Sequence, residues 1–137
     1  LQTNKVKFAV KLFDYIHSVD SEKLAKKIAE EQQKINRKIK IFIQVNIGSE
    51  NQKSGINKNK LNDLINFSKK IGLDVVGLMC IPPLDKDPEI YFQEMLKLKE
   101  SNNFNDLSMG MSSDYLEAVK YNSTFLRIGS SIFGKRS

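Results

Sequence analysis

Two hydrophobic periods alternate along this 137-residue chain, and few folds accept such a pattern. Short runs rich in β-branched and aromatic residues lie at Tyr15 to Val19, Ile41 to Ile47, Val75 to Ile81 and Thr124 to Ile128, with a weaker one at Asp106 to Met109. Between them the spacing is helical. Leu24, Ile28 and Ile35 recur at four and seven, and Leu61, Leu64, Ile65, Ser68 and Ile71 fit one amphipathic face. Tyr91, Met95 and Leu98 repeat the pattern, and the stretch from Asp114 to Tyr121 brings Tyr115, Leu116 and Val119 together.

Local punctuation agrees with these limits. Asp20 and Ser21 are N-cap types ahead of the first full helix, and Asp87-Pro88-Glu89 offers a cap, a first-turn proline and an early acid. Gly72 stands just past its helix, where a left-handed residue is wanted. The expected order is a partial helix followed by five strand–helix units. Strands separated by helices pair in parallel with right-handed crossovers. The runs at 41–47 and 75–81 are apolar nearly throughout, as strands covered on both faces should be.

Strand onsets near 15, 41, 75, 106 and 124 are 26, 34, 31 and 18 residues apart. An eight-unit barrel of roughly 250 residues averages about 31 per unit. Five units do not close such a barrel, so either the sheet is open or three further units precede Leu1. The opening Leu1-Gln2-Thr3-Asn4-Lys5 lacks an initiator methionine, and with the incomplete first helix it favours the second reading. The expected fold is α/β, a parallel (β/α) barrel of TIM type. Residues 1–137 form one domain of it, the carboxy-terminal five of eight units.

Composition narrows the function. With 40% hydrophobic and 28% charged residues the chain is too apolar for intrinsic disorder. The longest nearly unbroken apolar run, Val75 to Leu84, has ten residues against the roughly 20 that a spanning helix needs. No charged stretch followed by an apolar one opens the chain, so a secretory signal is not expected, and neither is a membrane partner. One cysteine, Cys80, forms no internal disulfide, and one histidine makes no multi-histidine metal site. A reducing cytoplasm is the default.

Net charge is +6, but 13 basic and 6 acidic residues up to Lys60 give +7, against 9 basic and 10 acidic after it, −1. A basic half attracts nucleic acid when arginine forks and stacking aromatics accompany it. Here 19 of the 22 basic residues are scattered lysines, so the surface reads as solvated and no nucleic-acid partner is expected.

Ligands of parallel α/β folds gather at the carboxyl ends of the strands. Two of those ends stand out, Ser108-Met109-Gly110-Met111-Ser112-Ser113-Asp114 and Arg127-Ile128-Gly129-Ser130-Ser131. Each runs from a strand through glycine into hydroxyl residues and on toward a helix start. That presents backbone N–H groups, hydroxyls and a helix dipole to one anion, best a phosphate. Gly129 lets the backbone approach it, and Ser130 adds a hydroxyl. The plainer alternative is a cap, with Asp114 and Glu117 spaced as a capping box.

Arg127 ends an apolar strand, so its guanidinium needs an acidic partner such as Asp106 or Asp20, or else a polar ligand. His17 reads as a hydrogen-bonded barrel residue and Cys80 as a small core residue. Met79, Met109 and Met111 are core filler or the apolar wall of a pocket. Lys53-Ser54-Gly55 lies in a polar loop of the kind that carries function, without a spacing that assigns a reaction.

At these segments the chain resembles the pyridoxal phosphate homeostasis protein family. The matches are Leu1-Gln2-Thr3-Asn4-Lys5, Tyr15-Ile16-His17-Ser18-Val19-Asp20, Gln44-Val45-Asn46-Ile47, Lys53-Ser54-Gly55, Gly77-Leu78-Met79 and Ile81-Pro82. Leu107 to Asp114 and Arg127-Ile128-Gly129-Ser130-Ser131-Ile132-Phe133-Gly134 complete the series, in order along the chain. The resemblance implies a single-domain barrel of the alanine racemase N-terminal type that binds pyridoxal 5′-phosphate (PLP).

In that family a lysine near the end of the first barrel strand forms the Schiff base, which puts it upstream of Leu1. The phosphate cradle falls on Ser112, Gly129 and Ser130, with Met111 nearby, and Arg127 faces the pyridine nitrogen. Arginine keeps its proton at any working pH, so a ring facing it is a weaker electron sink than one facing an acid. Where many relatives carry threonine after Arg-Ile-Gly this chain has Ser130, which retains the hydroxyl.

The function so implied is non-catalytic: a monomeric cytoplasmic protein that buffers PLP or delivers it to PLP-dependent apoenzymes. The alternative is a PLP-dependent amino-acid racemase or decarboxylase; such racemases add a β-domain, which is not expected after Gly134-Lys135-Arg136-Ser137. A third reading is a PLP-free barrel enzyme with a phosphate site.

Overall fold

The β-branched and aromatic runs become strands and the amphipathic stretches become helices. A computed structural model describes residues 1–49, 54–83, 86–111 and 125–127; at 110, 111 and 125–127 it describes the backbone alone. In chain order the elements are α1 (Val6–Leu12), β1 (Tyr15–Val19), α2 (Glu22–Lys34), β2 (Lys40–Val45), α3 (Leu61–Lys70), β3 (Asp74–Cys80), α4 (Pro88–Ser101), β4 (Asp106–Met111) and β5 (Phe125–Arg127). The helix expected over 114–121 lies outside the described residues.

Caps set the helix starts. Ser21 accepts the Leu24 N–H at 3.1 Å, and Asp87 accepts the Glu89 N–H at 3.0 Å with Pro88 in the first position. Gly72 follows α3 with φ +90°, the left-handed form its place demands. On α2 the buried Glu31 carboxylate receives Lys34 and Lys27, each at 3.1 Å. The Lys34 hydrogen bond first, then that of Lys27, holds it below its ordinary value of 4.5. A depressed carboxylate stabilises the fold above its unfolded value, and that contribution disappears as pH falls through the folded one. Glu31→Gln should therefore lose less melting temperature than the parent between about pH 5 and pH 3.

All strand pairs are parallel, and the order is β1-β2-β3-β4-β5. Sequential order fits the wall of a barrel and not a doubly wound sheet. Right-handed crossovers that never reverse direction put every helix on one face, whereas an open doubly wound sheet reverses and covers both. The packed core follows that rule. Ile16, Ile41, Ile43, Val45, Leu78, Cys80, Leu107 and Met109 from the strands meet Val10, Leu24, Ile28, Leu61, Leu64, Phe92 and Met95 from the helices in one cluster.

Two strand ends differ from expectation by two residues, each for a local reason, while the start of β2 and both limits of β3 differ by one. The strand expected to Ile47 ends at Val45, because the Asn46 N–H turns to the Ile56 carbonyl (2.9 Å) and Ile56 bridges to Val45. β4 runs two residues beyond Met109, since pairing with β5 carries the extended backbone through Gly110 to Met111.

Candidate functional site

Alternation along a strand sorts side chains to opposite faces. In β2, Ile41, Ile43 and Val45 join the helix-facing core; Phe42, Gln44 and, just past the strand, Asn46 belong to the other face. Gln44 and Asn46 are only 6% exposed, so that face is buried as well as polar. In β4, Ser108 lies between the core residues Leu107 and Met109 and is fully buried.

A single hydrogen bond reveals the curvature of the sheet. His17 Nδ1 on β1 and Ser108 Oγ on β4 are 2.7 Å apart. In a flat sheet three strand spacings of about 4.8 Å would hold those backbones roughly 14 Å apart, too far for a histidine and a serine to meet. The face they share is therefore concave, the inside of a barrel wall.

Gly77 makes room for the contact. It is the register partner of Phe42 on one side and Asp106 on the other. A Cβ there would lie 2.7 Å from the Asp106 carbonyl carbon and 2.9 Å from Phe42 Cε1. The Phe42 ring covers the space so left, and His17 stacks on it with centroids 4.3 Å apart and planes at 24°. His17 thus occupies the hydrogen-bonded interior place expected of it. Its partner Ser108, its platform Phe42 and the buried Gln44 were not anticipated. A signal existed, since Phe42, Gln44 and Asn46 are the alternate members of an otherwise aliphatic run.

At the carboxyl ends of the strands, Met111 of β4 and Arg127 of β5 are direct register partners. Two residues between Ser108 and Met111 stand opposite one between Phe125 and Arg127, so β4 carries one extra residue there, a bulge in the ladder. Of the five cofactor-binding candidates, these two backbones are side by side. Ser112, Gly129 and Ser130 lie outside the described residues.

The alternative partners proposed for Arg127 fare differently. About 16 Å of strand separates Asp106 from Met111, which weighs against an Asp106 ion pair. Asp20 accepts the Gly55 N–H at 3.0 Å. Gly55 has φ +115°, and a Cβ on it would come within 2.6 Å of the Asn46 nitrogen, so the loop after β2 returns tightly onto the strand ends. Lys53 lies outside the described residues. Cys80 is fully buried on the helix-facing side, a core residue as expected, and Met79 lines the concave face. Among the described residues no helix is long and apolar enough to cross a membrane.

Comparison with known proteins matches residues 1–137 to the alanine racemase N-terminal domain family. A pyridoxal phosphate homeostasis protein of Aquifex aeolicus is 36% identical over 146 residues, which cover 99% of this chain and 64% of that protein. The chain thus spans less than two thirds of this relative's length. The structure of PipY from Synechococcus elongatus with PLP bound superposes with a TM-score of 0.85 at 31% identity, over 98% of this chain and 67% of PipY. Diaminopimelate decarboxylase of Helicobacter pylori, at 18% identity and a TM-score of 0.76 over 93% of this chain and 42% of its own, shares the fold alone.

Proposed function

The chain belongs to the alanine racemase N-terminal domain family, within its pyridoxal phosphate homeostasis group, and from that premise we propose that it binds PLP as a non-catalytic carrier. The observation that supports this most directly is the pairing of Met111 with Arg127, because it brings together the strand ends that lead into both serine-rich segments. Ser112, Gly129 and Ser130 would hold the phosphate beside Met111, and Arg127 would face the ring nitrogen. The polar face of half-buried His17 and buried Gln44 and Ser108 suits a polar aromatic ring better than an aliphatic ligand.

When bound, PLP supplies an aldehyde that condenses with amines and a ring that accepts electrons. The chain's own contribution is to bind and orient. Arg127, permanently protonated, would donate a hydrogen bond to the ring nitrogen without giving up its proton, and so would limit the electron sink that racemases and decarboxylases use. A carrier profits from that restraint. The cofactor would be held, kept from side reactions and passed to apoenzymes in the cytoplasm by a monomer.

Phe8, Leu12 and Phe13, on and just after the helix ahead of β1, are 64, 72 and 56% exposed. Their exposure beside the first strand supports the further reading that preceding strand–helix units, with the Schiff-base lysine, continue the barrel. The full-length protein should bind PLP with the absorbance of a protein-bound cofactor and racemise or decarboxylate no amino acid at an appreciable rate. Rapid turnover would replace the carrier with an enzyme; an absent band would remove PLP altogether.

A further inference from the structure

We propose that the His17–Ser108 hydrogen bond is a positioning device, one that fixes the carboxyl end of β4 and hence the Met111–Arg127 pair against which the cofactor ring rests. This builds on the PLP reading above. Ser108 is the last β4 residue in register with β3, opposite Met79. Beyond it the strand enters its bulge, and the register that continues is with β5 alone, at Met111 and Arg127. Ser108 is therefore the pivot from which the end of β4 departs.

The bond at that pivot is short, 2.7 Å, and its serine is fully buried. Its histidine has little freedom, since the ring is stacked on Phe42, and Phe42 in turn lies over Gly77. His17 also lies in a bulged stretch of β1, where the two residues between Ile16 and Val19 stand opposite one of β2. That extra residue lets its ring lean across the concave face. A tie between strands that are not neighbours adds nothing to any ladder; it sets how far the ends of β1 and β4 stand apart. His17 is thus a positioning residue that acts on the site through Ser108.

The test compares variants of the full-length protein by PLP dissociation constant, by the absorbance band of bound PLP and by unfolding of the cofactor-free form. His17→Phe keeps the stacking and loses the bond. His17→Asn restores a polar atom near the place of Nδ1. His17→Phe should raise the dissociation constant about tenfold, the upper range for one neutral hydrogen bond, and alter the bound band well below the unfolding temperature. His17→Asn should return both toward the parent, and adding Ser108→Ala to His17→Phe should change little more, because the two share one interaction.

Parent-like affinity and an unaltered band in His17→Phe, with PLP still bound by the parent, would overturn the positioning role and leave the carrier reading intact. No binding by the parent would overturn both. If His17→Phe does not fold, Ser108→Ala is read by the same criteria.

Discussion

Replacing Gly77 with alanine should destabilise the protein by about 3 kcal/mol or more, the upper range for overpacking a buried position. Most added methyl groups are absorbed by side chains that move aside. At Gly77 the principal obstacle is the backbone of Asp106, whose carbonyl carbon would lie 2.7 Å from the new Cβ and whose oxygen would be closer still. Moving that carbonyl means moving β4 from β3 at the start of their pairing, where Gly77 meets Asp106. The Phe42 ring, 2.9 Å from the new atom, would also be displaced, and with it the platform under His17.

Gly72 is the control. Its φ of +90° strains any side chain, yet a Cβ there meets nothing within 4 Å. Gly72→Ala should cost only about 1 kcal/mol, the backbone term alone. Denaturant unfolding of both variants separates close approach from conformational preference. Adding Phe42→Leu to Gly77→Ala should recover little stability, since the carbonyl remains. A Gly77→Ala protein as stable as the parent would mean that β3 and β4 do not pair in this register.

The same positions show what local sequence carries and what it does not. Ile41, Ile43 and Val45 are aliphatic because helices cover them, so the strand, its burial and its parallel pairing were all readable. The capping signals at Ser21, Asp87 and Gly72 act within a few residues, and they read correctly too. Long-range terms leave no such mark. His17 and Ser108 are 91 residues apart, and nothing around either names the other.

Register shifts are equally silent: the extra residue of β3 between Val75 and Gly77 sits in the uniform run Val75-Val76. Gly77 itself was a missed clue, since a lone glycine inside a strand pattern marks a bulge or a close backbone approach. Gly110 misled in the opposite direction, shortening β4 in the sequence reading although β5 sustains it. The proposed cofactor residues stand in the sequence as a motif in series, glycine then hydroxyls, after two consecutive strands. The pairing of β4 with β5 that would bring them together is encoded by no single segment.

The phosphate site proposed for these two segments makes a sharp demand. With Ser112→Ala and Ser130→Ala combined, two hydrogen bonds to a charged group disappear, each contributing about 1.5–3 kcal/mol. Independent losses would sum to about 3–6 kcal/mol, or roughly 10²- to 10⁴-fold in PLP affinity. Two hydroxyls on one phosphate share a partner, so the measured loss should fall toward the lower figure.

Pyridoxal, which has the ring and aldehyde without the phosphate, separates this from general damage. The double variant should bind pyridoxal as the parent does, so the preference for PLP over pyridoxal collapses while affinity for the ring persists. Inorganic phosphate should likewise compete with PLP in the parent and lose most of that ability in the variant. If affinity for PLP and for pyridoxal fell together, the serines would be supporting the fold instead of gripping the anion. If neither fell, the phosphate would be bound elsewhere and the pairing of Met111 with Arg127 would need another purpose.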